Sequence, residues 1–540
     1  MTVRTWRIAC AMSSRMFRAS VLFWALPFLL PQAALAQFTQ DGKPLVGMLG
    51  KGAPYQGWSV AMSADGETAI VGGPSDNELF GAAWVYTLGS NGVWTQEGGK
   101  LVGTGAVSPP YFGYSVALSA DGDTAIVGGT EDTNNGGQGA AWVFTRSGGV
   151  WTQQGSKLFG TGAVGSAEQG YSVALSADGD TAIVGGPFDN RLGPSYAGAA
   201  WVFTRSGGVW TQQGHKLVGK GAVAPYGASQ GYSVALSADG DTAIVGGPAD
   251  NKYVGASWVF TRGGGVWTQQ GAKLVGTGAV GNAAQGASVS LSADGDTALA
   301  GGPSDKDFAG AAWVFTRGGA VWTQQGAKLV GTGAVGQANQ GYSVVLSADG
   351  RSAMEGGRLD NDDTDAGAAW AFTRSGGVWK QQGAKLVGSG DVFEDAQQGH
   401  SVALSGDGDT ALVGGPYHYV GNNAGTGAAW VFVQPLEVAP YAGAAASGTL
   451  GGPFLPSSFS YTLSATSGNV NYTITGAPSW LTASSTSGTV TTSGKTLNFK
   501  INASANKLAP GTYAGAIAFN NADGKQKTIS RAVTLTVKAK

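Results

Sequence analysis

Apolar and polar residues alternate in short runs along most of the chain, with the period of a β-strand. Runs such as SVALS and TAIVGG are separated by an Asp-Gly pair, which is a strong hairpin signal because glycine tolerates a positive φ. In the recurring run AAWVF, the large side chains fall on one face of a strand and the small ones on the other. The pattern predicts an all-β chain made of many short antiparallel strands.

Three strings recur in a fixed order and define a long repeat. SADGDTA or a close variant occurs seven times at spacings of 55 to 61 residues, and GAAWVF or a close variant follows each copy. The third string, VWTQQG-x-KLVG, follows only six of the seven copies. A degenerate copy of it stands near the N-terminus instead, as Phe38 to Gly42 followed by Leu45 to Gly47.

The displaced string predicts a closed ring rather than an open solenoid. In a ring, an N-terminal strand completes the last repeat, whereas an open array has no use for such a permutation. Periods of 40 residues or more with glycine and aromatic signatures are typical of propeller blades. The predicted fold is a seven-bladed β-propeller over residues 38–434, closed by its N-terminal strand, with the repeated tryptophans packed between blades.

The two faces of such a disc differ in their sequences. The turns between strands 1 and 2 and between strands 3 and 4 lie at one face, which we call the turn face, and they are nearly invariant. The loops between strands 2 and 3 and the connections between blades lie at the opposite face, the loop face, and they vary in length and content. Because diverse loops on a rigid scaffold usually carry specificity, we expect binding at the loop face.

Aromatic and acidic side chains of the loop face are the candidate contact residues, since exposed apolar patches mark interaction surfaces. The binding candidates are Tyr55, Phe80, Tyr111, Phe112, Tyr196, Tyr226, Tyr253, Phe308, Phe393, Tyr417, His418 and Tyr419. Asp-Asn pairs also recur there, and Asx turns explain them without a ligand. The densest acidic cluster, Asp360, Asp362, Asp363 and Asp365, is interpreted as a solvated loop, with a weak cation site as the alternative.

After Gln434 the repeat ends and the composition changes. Residues 436–540 are rich in serine and threonine and contain alternating runs such as FSYTLSA and AVTLTV. Short antiparallel strands at this spacing predict a small Ig-like β-sandwich as a second domain.

The repeat unit QGYSVALSADGDTAIVGG…GAAWVFTRSGGVWTQQG resembles the FG-GAP repeat family, in the bacterial branch that carries the WTQQ strand. Integrin α-subunit heads belong to that family, so the resemblance implies a propeller of the adhesion and ligand-binding kind. Calcium-binding members carry a DxNxDGxxD-like loop. The loop here, Ser176 to Thr181 in one copy, offers too few oxygens for a site of six to eight ligands. We therefore predict no calcium and no other cofactor.

The C-terminal stretch resembles the BACON family of Ig-like domains. The resemblance rests on Trp480-Leu481, on Ser487-Gly488 and on the run from Leu508 to Tyr513. It implies an accessory module that binds carbohydrate or acts as a spacer.

Residues 1–36 have the layout of a secretory signal peptide. A basic segment precedes the apolar run VLFWALPFLL, and a small-x-small site ends at Ala36 before Gln37. The apolar run is too short to span about 30 Å of hydrocarbon. We expect a protein that is secreted or held at the cell surface or in the periplasm, without membrane insertion. The single cysteine, Cys10, lies in this segment, so the mature chain is predicted to lack disulfides.

Composition and charge narrow the function. Charged residues make up 12% of the chain and the formal net charge is −2, with no basic stripe, which argues against a nucleic-acid partner. No zinc spacing, phosphate loop or nucleophile elbow occurs. We predict an exported, non-enzymatic binding or adhesion protein for an extracellular protein or glycan. Two alternatives stay open: a carboxylate-based polysaccharide hydrolase or lyase, and a structural envelope or matrix protein with no defined ligand.

Overall fold

A computed structural model describes residues 38–540 except 90–91, 133–136, 193–194, 224–226, 362–364, 391–394, 420–424, 441, 466–468, 492 and 523–527. The predicted signal peptide and its cysteine lie outside these residues. Within them, seven four-stranded antiparallel sheets form the blades of a propeller, and two further sheets form a C-terminal sandwich. No described helix is both long and apolar enough to cross a membrane.

The blades are numbered along the chain, and in blades 1 to 6 the four strands run outward from the central axis in chain order. Blade 7 takes its outermost strand from the N-terminus. The innermost strands, strand 1, are Ser59–Met62, Ser115–Leu118, Ser172–Leu175, Ser233–Leu236, Ser288–Leu291, Ser343–Leu346 and Ser401–Leu404. Strand 2 is Thr68–Gly73, Thr124–Gly129, Thr181–Gly186, Thr242–Gly247, Thr297–Gly302, Ser352–Gly357 and Thr410–Gly415. Strand 3 is Ala82–Leu88, Ala140–Ser147, Ala199–Ser206, Ala256–Gly263, Ala311–Gly318, Ala368–Ser375 and Ala428–Val433. Strand 4 is Trp94–Gln96, Val150–Gln153, Val209–Gln212, Val266–Gln269, Val321–Gln324, Val378–Gln381 and, for blade 7, Thr39–Leu45.

Blade 7 is completed from the N-terminus, as the displaced string predicts. Thr39–Leu45 pairs antiparallel with Ala428–Val433, with Thr39 opposite Val433 and Leu45 opposite Ala429. The side chains of Phe38 and Leu45 are buried in the cores on either side of the blade. The prediction of a seven-bladed ring closed by an N-terminal strand is confirmed.

Hydrogen bonds between neighbouring blades run around the whole ring. At the turn face, the backbone N–H of Ala64 donates to the carbonyl of Ala120 at 2.9 Å, and equivalent bonds link every following blade. The last bond returns from Gly406 N–H to the carbonyl of Ala64 at 2.8 Å. Because the seven bonds form a closed cycle, each blade is held at the axis by both of its neighbours.

Tryptophans of strand 3 fill the space between blades. Trp84, Trp142, Trp201, Trp258, Trp313, Trp370 and Trp430 are all fully buried. Each indole N–H donates to a carbonyl of the preceding blade, as Trp201 does to Thr161 at 2.9 Å. A Cβ added at Gly160 would lie 1.9 Å from Trp201 Cδ1, so glycine is required where the chain crosses the ring. The predicted core role of these tryptophans is confirmed.

The aspartates of the turn face are bonded rather than merely solvated. The first, Asp178 in blade 3, accepts the N–H of Asp180 at 2.9 Å and thereby closes the turn. Asp180 accepts the Nε–H of Arg205 at 2.6 Å, and the guanidinium lies over the ring of Trp210. The same arginine donates to Gln154 of blade 2 at 3.2 Å. The equivalent arginines of blades 2, 4 and 5 likewise donate to a side chain of the preceding blade.

The C-terminal sandwich has a buried core of its own, which includes Tyr461, Trp480 and Phe499. One sheet contains Leu436–Ala439, Ser458–Ala465, Lys495–Ile501 and Leu481–Ala483. The other contains Phe454–Leu455, Ala444–Thr449, Ile529–Lys538, Gly511–Asn521, Asn469–Thr475 and Ser487–Thr491. A short 3-10 helix spans Ala505–Lys507. Trp480, one of the residues that carry the family resemblance, is 4% exposed and belongs to this core.

The sandwich follows the propeller at the turn face. Strand 3 of blade 7 ends at Val433, and the first strand of the sandwich begins at Leu436. Across this junction, an Nη atom of Arg531 lies 3.8 Å from the carboxylate of Asp407, which belongs to the turn between strands 1 and 2. The loop face is therefore at the opposite end of the propeller from the chain exit.

Candidate functional site

A collar of aromatic side chains surrounds the central axis at the loop face. Each member is the residue directly before strand 1 of its blade, following the glycine of the Gly-Tyr-Ser motif. The collar consists of Trp58, Tyr114, Tyr171, Tyr232, Tyr342 and His400, with Ala287 at the equivalent position of blade 5. Neighbouring ring centroids lie 4.6 Å apart for Trp58 and His400 and 4.8 Å apart for Tyr171 and Tyr232. The inner strands thus present aromatic rings at one end of the axis.

A cavity opens within the collar. It measures about 150 Å³ and is lined by Trp58, Tyr114, Tyr171, Tyr232, Tyr342, Ala287 and Pro303. Alanine leaves space that a tyrosine takes up in most other blades. Small-molecule pockets usually measure about 300–1,000 Å³, so this cavity suits a single ring or a short side chain.

Seven residues with one backbone conformation form the rim of the collar. Each stands three positions before its collar residue, whose N–H donates to its carbonyl, as Tyr171 does to Glu168 at 3.1 Å. The rim residues are Tyr55, Tyr111, Glu168, Ser229, Ala284, Asn339 and Gln397, and their φ angles lie between 52° and 57°. The rim backbone therefore has the same conformation in all seven blades, whereas the side chain that it presents at the opening differs between most neighbouring blades.

One cation and one neutral histidine lie at the collar. The guanidinium of Arg358 lies 4.3 Å from the centre of the Tyr342 ring, and Nη1 donates to Gln397 at 3.4 Å. Burial, followed by the charge of Arg358, lowers the pKa of His400 to about 3. The neutral imidazole places Nδ1 2.9 Å from the carbonyl of Trp58, so Nδ1 carries the proton and donates it.

The rim also carries a carboxyl with a shifted pKa. Burial, followed by the negative charge of Glu131, raises the pKa of Glu168 to about 7. Glu168 is close enough to Tyr114 for its charge to act on that phenol, whose pKa is raised mainly by burial. The rim therefore holds a carboxyl that is partly protonated at neutral pH.

Three of the predicted binding residues are exposed on left-handed turns between strands 2 and 3. Phe80, Tyr253 and Phe308 have 42%, 54% and 50% of their surface exposed. The turns are Asp76–Leu79, Asp250–Tyr253 and Asp305–Phe308, and each contains three consecutive residues with positive φ. Such a run costs free energy for L-residues, about 1–2 kcal/mol each. Tyr55, Tyr111, Tyr196, Tyr417 and Tyr419 are half-buried.

The structure corrects the prediction for Phe112 and His418, which are both buried. Phe112 stands where most blades have glutamine, and its ring packs against Trp142 at 5.5 Å. His418 takes the position of a buried aspartate, and its ring lies 5.2 Å from Trp430. Neither side chain is open to a ligand at the loop face. The predicted residues Tyr226, Phe393, Asp362 and Asp363 lie outside the described residues.

The recurrent aspartates of the loop face are internal ion-pair partners. Asp360 is 1% exposed, and it accepts the N–H of Val335 at 2.8 Å while its other oxygen bonds to Lys385. The equivalent pairs are Asp76–Lys100, Asp132–Lys157, Asp189–Lys216, Asp250–Lys273 and Asp305–Lys328. This bonding replaces the Asx-turn interpretation. At Asp360 it also replaces the predicted solvated loop and its alternative, a weak cation site. Asp365 belongs to the same loop, is half-buried and has a backbone φ of 43°.

Sequence reasoning missed the collar and Arg358. In the sequence, the aromatic residue after glycine is part of the repeat unit that resembles the FG-GAP family, and no local feature separates it from the other aromatic residues of the repeat. A usable signal was the position itself, because a residue directly before the innermost strand faces the axis. Arg358 was visible as the replacement of the proline that five other blades have after Gly-Gly.

Comparisons with known proteins agree with the two parts of the chain. The FG-GAP repeat family matches residues 94–144, and the family described as the viral BACON domain matches residues 456–534. Among solved structures, the periplasmic gluconolactonase of Pseudomonas aeruginosa is similar, with 17% identity and a TM-score of 0.39 over 61% of this chain and 85% of that one. No curated protein matches the chain. The FG-GAP model thus matches one stretch of the propeller, and the BACON model matches most of the C-terminal sandwich.

Proposed function

We propose that this chain is an exported binding protein without enzymatic activity, and that it recognises the end of a glycan chain in the aromatic collar. The observation that supports this proposal is a ring of six aromatic side chains around a small opening, framed by a rim of varied residues. Tyrosine and tryptophan offer a flat apolar face and a polar tip. A pyranose ring has matching properties, because its C–H faces are apolar and its edge carries hydroxyls.

The size of the cavity favours a terminal sugar over an internal one. About 150 Å³ admits one ring entering along the axis, whereas a chain passing through would need openings on two sides. Ser229 and Gln397 on the rim, both half-buried, supply hydrogen-bonding groups for hydroxyls around that ring. A short exposed aromatic side chain of a protein ligand would satisfy the same geometry and is the other outcome of a binding test.

The outer loop-face aromatics and the BACON domain have supporting roles in this proposal. Phe80, Tyr253 and Phe308 are exposed on the loops between strands 2 and 3, further from the axis, so they should add little to the affinity for a terminal sugar. The BACON domain follows the opposite face, so it would act as a spacer or add weak carbohydrate affinity of its own.

Replacing Tyr171 by alanine is expected to weaken glycan binding by about tenfold, because the variant loses an aromatic face that packs against the sugar ring. Tyr253→Ala, an exposed loop-face tyrosine outside the collar, is the matched control and should change the dissociation constant by less than about threefold. The full chain would first be screened on an array of glycans and matrix proteins, and affinities would then be measured by calorimetry.

Two results would count against this proposal. If Tyr253→Ala abolishes binding and Tyr171→Ala does not, the outer loops are the site and the collar is structural. If Ala287→Tyr, which fills the gap in the collar, leaves affinity unchanged, no ligand enters the cavity. Circular dichroism of each variant would verify that the propeller is folded.

A second candidate function, a carboxylate-based glycan hydrolase or lyase, is favoured by one observation. Burial, followed by the negative charge of Glu131, raises the pKa of Glu168 to about 7, and a carboxyl that is protonated near neutral pH can serve as the general acid of glycan cleavage. Under this alternative the protonated Glu168 is the general acid.

Turnover of a polysaccharide by the wild-type chain would decide between the two functions. If Glu168 is the acid, the rate should fall as the pH rises above about 7, since only the protonated form donates. Glu168→Gln should then lower the rate by about 100-fold or more. Asp307→Asn, a carboxylate on the outer left-handed turn of blade 5, is the control and should leave the rate unchanged. Absence of turnover across a polysaccharide panel would leave binding as the function.

A further inference from the structure

Blade 6 departs from the other blades at the turn face. In blades 2 to 5, an aspartate after the Asp-Gly turn accepts the Nε–H of the strand 3 arginine, as Asp180 does from Arg205 at 2.6 Å. In blade 6 the aspartate is replaced by Arg351, while the strand 3 arginine is retained as Arg374. The backbone is unchanged there, since Arg374 N–H donates to the carbonyl of Arg351 at 2.7 Å, as Arg205 does to Asp180 at 2.8 Å.

The two arginines border an open cavity between blades 5 and 6. The cavity measures about 440 Å³ and is lined by Gln325, Arg351, Arg374, Ser375, Gly376 and Gly377. Arg374 donates to Gln325 at 3.1 Å and stacks over Trp379, which fixes the direction of its guanidinium. Arg351 is exposed, so its side chain is free to turn toward the same space.

The charge at this position is two units more positive than in the equivalent blades. One carboxylate, Asp349, remains on the turn, where it accepts the hydroxyl of Ser347 and the N–H of Arg351. Burial, followed by the charge of Arg351, lowers the pKa of Arg374. The negative charges of Asp349 and Asp294 act in the opposite direction but do not outweigh these two effects. A bound anion would therefore stabilise a guanidinium that is partly withdrawn from water.

We propose that the cavity between blades 5 and 6 binds a small oxyanion, a sulfate, phosphate or carboxylate group, through Arg351, Arg374 and the side-chain amide of Gln325. Planar guanidinium groups donate two parallel N–H bonds to such groups, which a lysine cannot do. The bound oxyanion occupies the position of the carboxylate that is present in the other blades. This site lies on the turn face, opposite the collar. The proposal does not depend on the glycan-binding function proposed for the collar.

The test is equilibrium dialysis of the full chain at low salt with radiolabelled sulfate, followed by competition with phosphate and with glucuronate. We expect one saturable site with a dissociation constant in the millimolar range or below. The order of competition shows which oxyanion group is preferred. Raising the ionic strength should weaken binding, since the pair is partly exposed.

Arg351→Asp is the decisive variant because it restores the residue of the neighbouring blades and should fold at least as well as the wild type. It should weaken sulfate binding by about tenfold or more, since an anion would then meet a carboxylate. The reverse change in blade 3, Asp180→Arg, should create a second site. Binding that survives Arg351→Asp, or no saturable binding by the wild type, would overturn the proposal.

Discussion

Deletion of residues 38–47 is expected to lower the free energy of unfolding of the propeller by about 5 kcal/mol or more. Phe38 and Leu45 are 4% and 6% exposed, and burying such side chains contributes about 1.5–3 kcal/mol each. The deletion also leaves strand 3 of blade 7 without its outer partner, so that apolar residues such as Val431 become part of an open sheet edge.

The measurement is urea unfolding followed by tryptophan fluorescence, since seven of the tryptophans are buried between blades. Leu45→Ala should produce an intermediate loss of about 2–4 kcal/mol. Lys43→Ala, at an exposed position of the same strand, is the matched control and should change stability by less than about 0.5 kcal/mol.

A synthetic peptide of residues 38–47 provides an independent check. Added to the deletion variant, it should raise the unfolding midpoint in a saturable manner, because a ligand that binds only the folded state stabilises it. An unfolding midpoint equal to that of the wild type, with no response to the peptide, would show that this strand does not hold the ring closed.

Glu355→Val is expected to stabilise the protein increasingly as the pH rises, by on the order of 2–5 kcal/mol at pH 9. Glu355 is 1% exposed in strand 2 of blade 6, where five other blades have valine and one has alanine. Its Oε1 accepts the N–H of Gly331 at 3.2 Å, and its Oε2 accepts no hydrogen bond from the described residues. Burial raises its pKa to about 8, opposed by the bond from Gly331.

The direction of the effect follows from proton binding. An ordinary glutamate in the unfolded chain has a pKa of 4.5, so between pH 4.5 and about 8 the folded state holds a proton that the unfolded state has lost. The stability linked to this proton is complete below pH 4.5 and is lost as the pH rises through 8. Valine removes this dependence.

Unfolding by urea at pH 5, 7 and 9 would measure the effect, with Glu355→Gln as the matched variant. Glutamine has no charge, so Glu355→Gln should remove the pH dependence that residue 355 gives to the free energy of unfolding. It should still carry the cost of a buried polar group. Because Glu168 and His400 titrate in all three proteins, the difference between variants isolates residue 355. Equal slopes against pH in wild type and Glu355→Val would contradict the assignment of a buried, protonated carboxyl.

The fold was predictable because repetition removes the ambiguity of any single segment. One copy of TAIVGG could be a strand or part of a buried helix, whereas seven copies of this run or a close variant, with hairpin signals at a regular period, indicate one architecture. The displaced string at Phe38 added the closure of the ring. Both features depend only on local patterns and on their order along the chain, and both can be read from the sequence without knowing which distant residues are in contact.

The candidate site was predictable only in part, because burial depends on residues distant in sequence. The sequence predicts that Phe112 contacts a ligand at the loop face, but its ring packs against Trp142 in strand 3 of blade 2. Asp189 forms an ion pair with Lys216, which lies 27 residues later in the chain, and no local sequence pattern indicates this contact. The choice of the loop face stays a prediction, and the collar that now supports it was recognised only from the placement of strand 1.

The closure of the ring also imposes a delay during synthesis, because the first strand is made long before the blade that it joins. Thr39 and its partner Val433 are separated by 394 residues, so at about 5–20 residues per second the first strand waits about 20–80 s for the blade that it completes. Throughout that interval it is an unpaired edge that could join a neighbouring chain. Its sequence, TQDGKPL, carries two charges and a proline, the features by which natural edge strands resist such pairing. The strand thus combines the residues needed to join blade 7 with those that keep the nascent chain from aggregating before blade 7 exists.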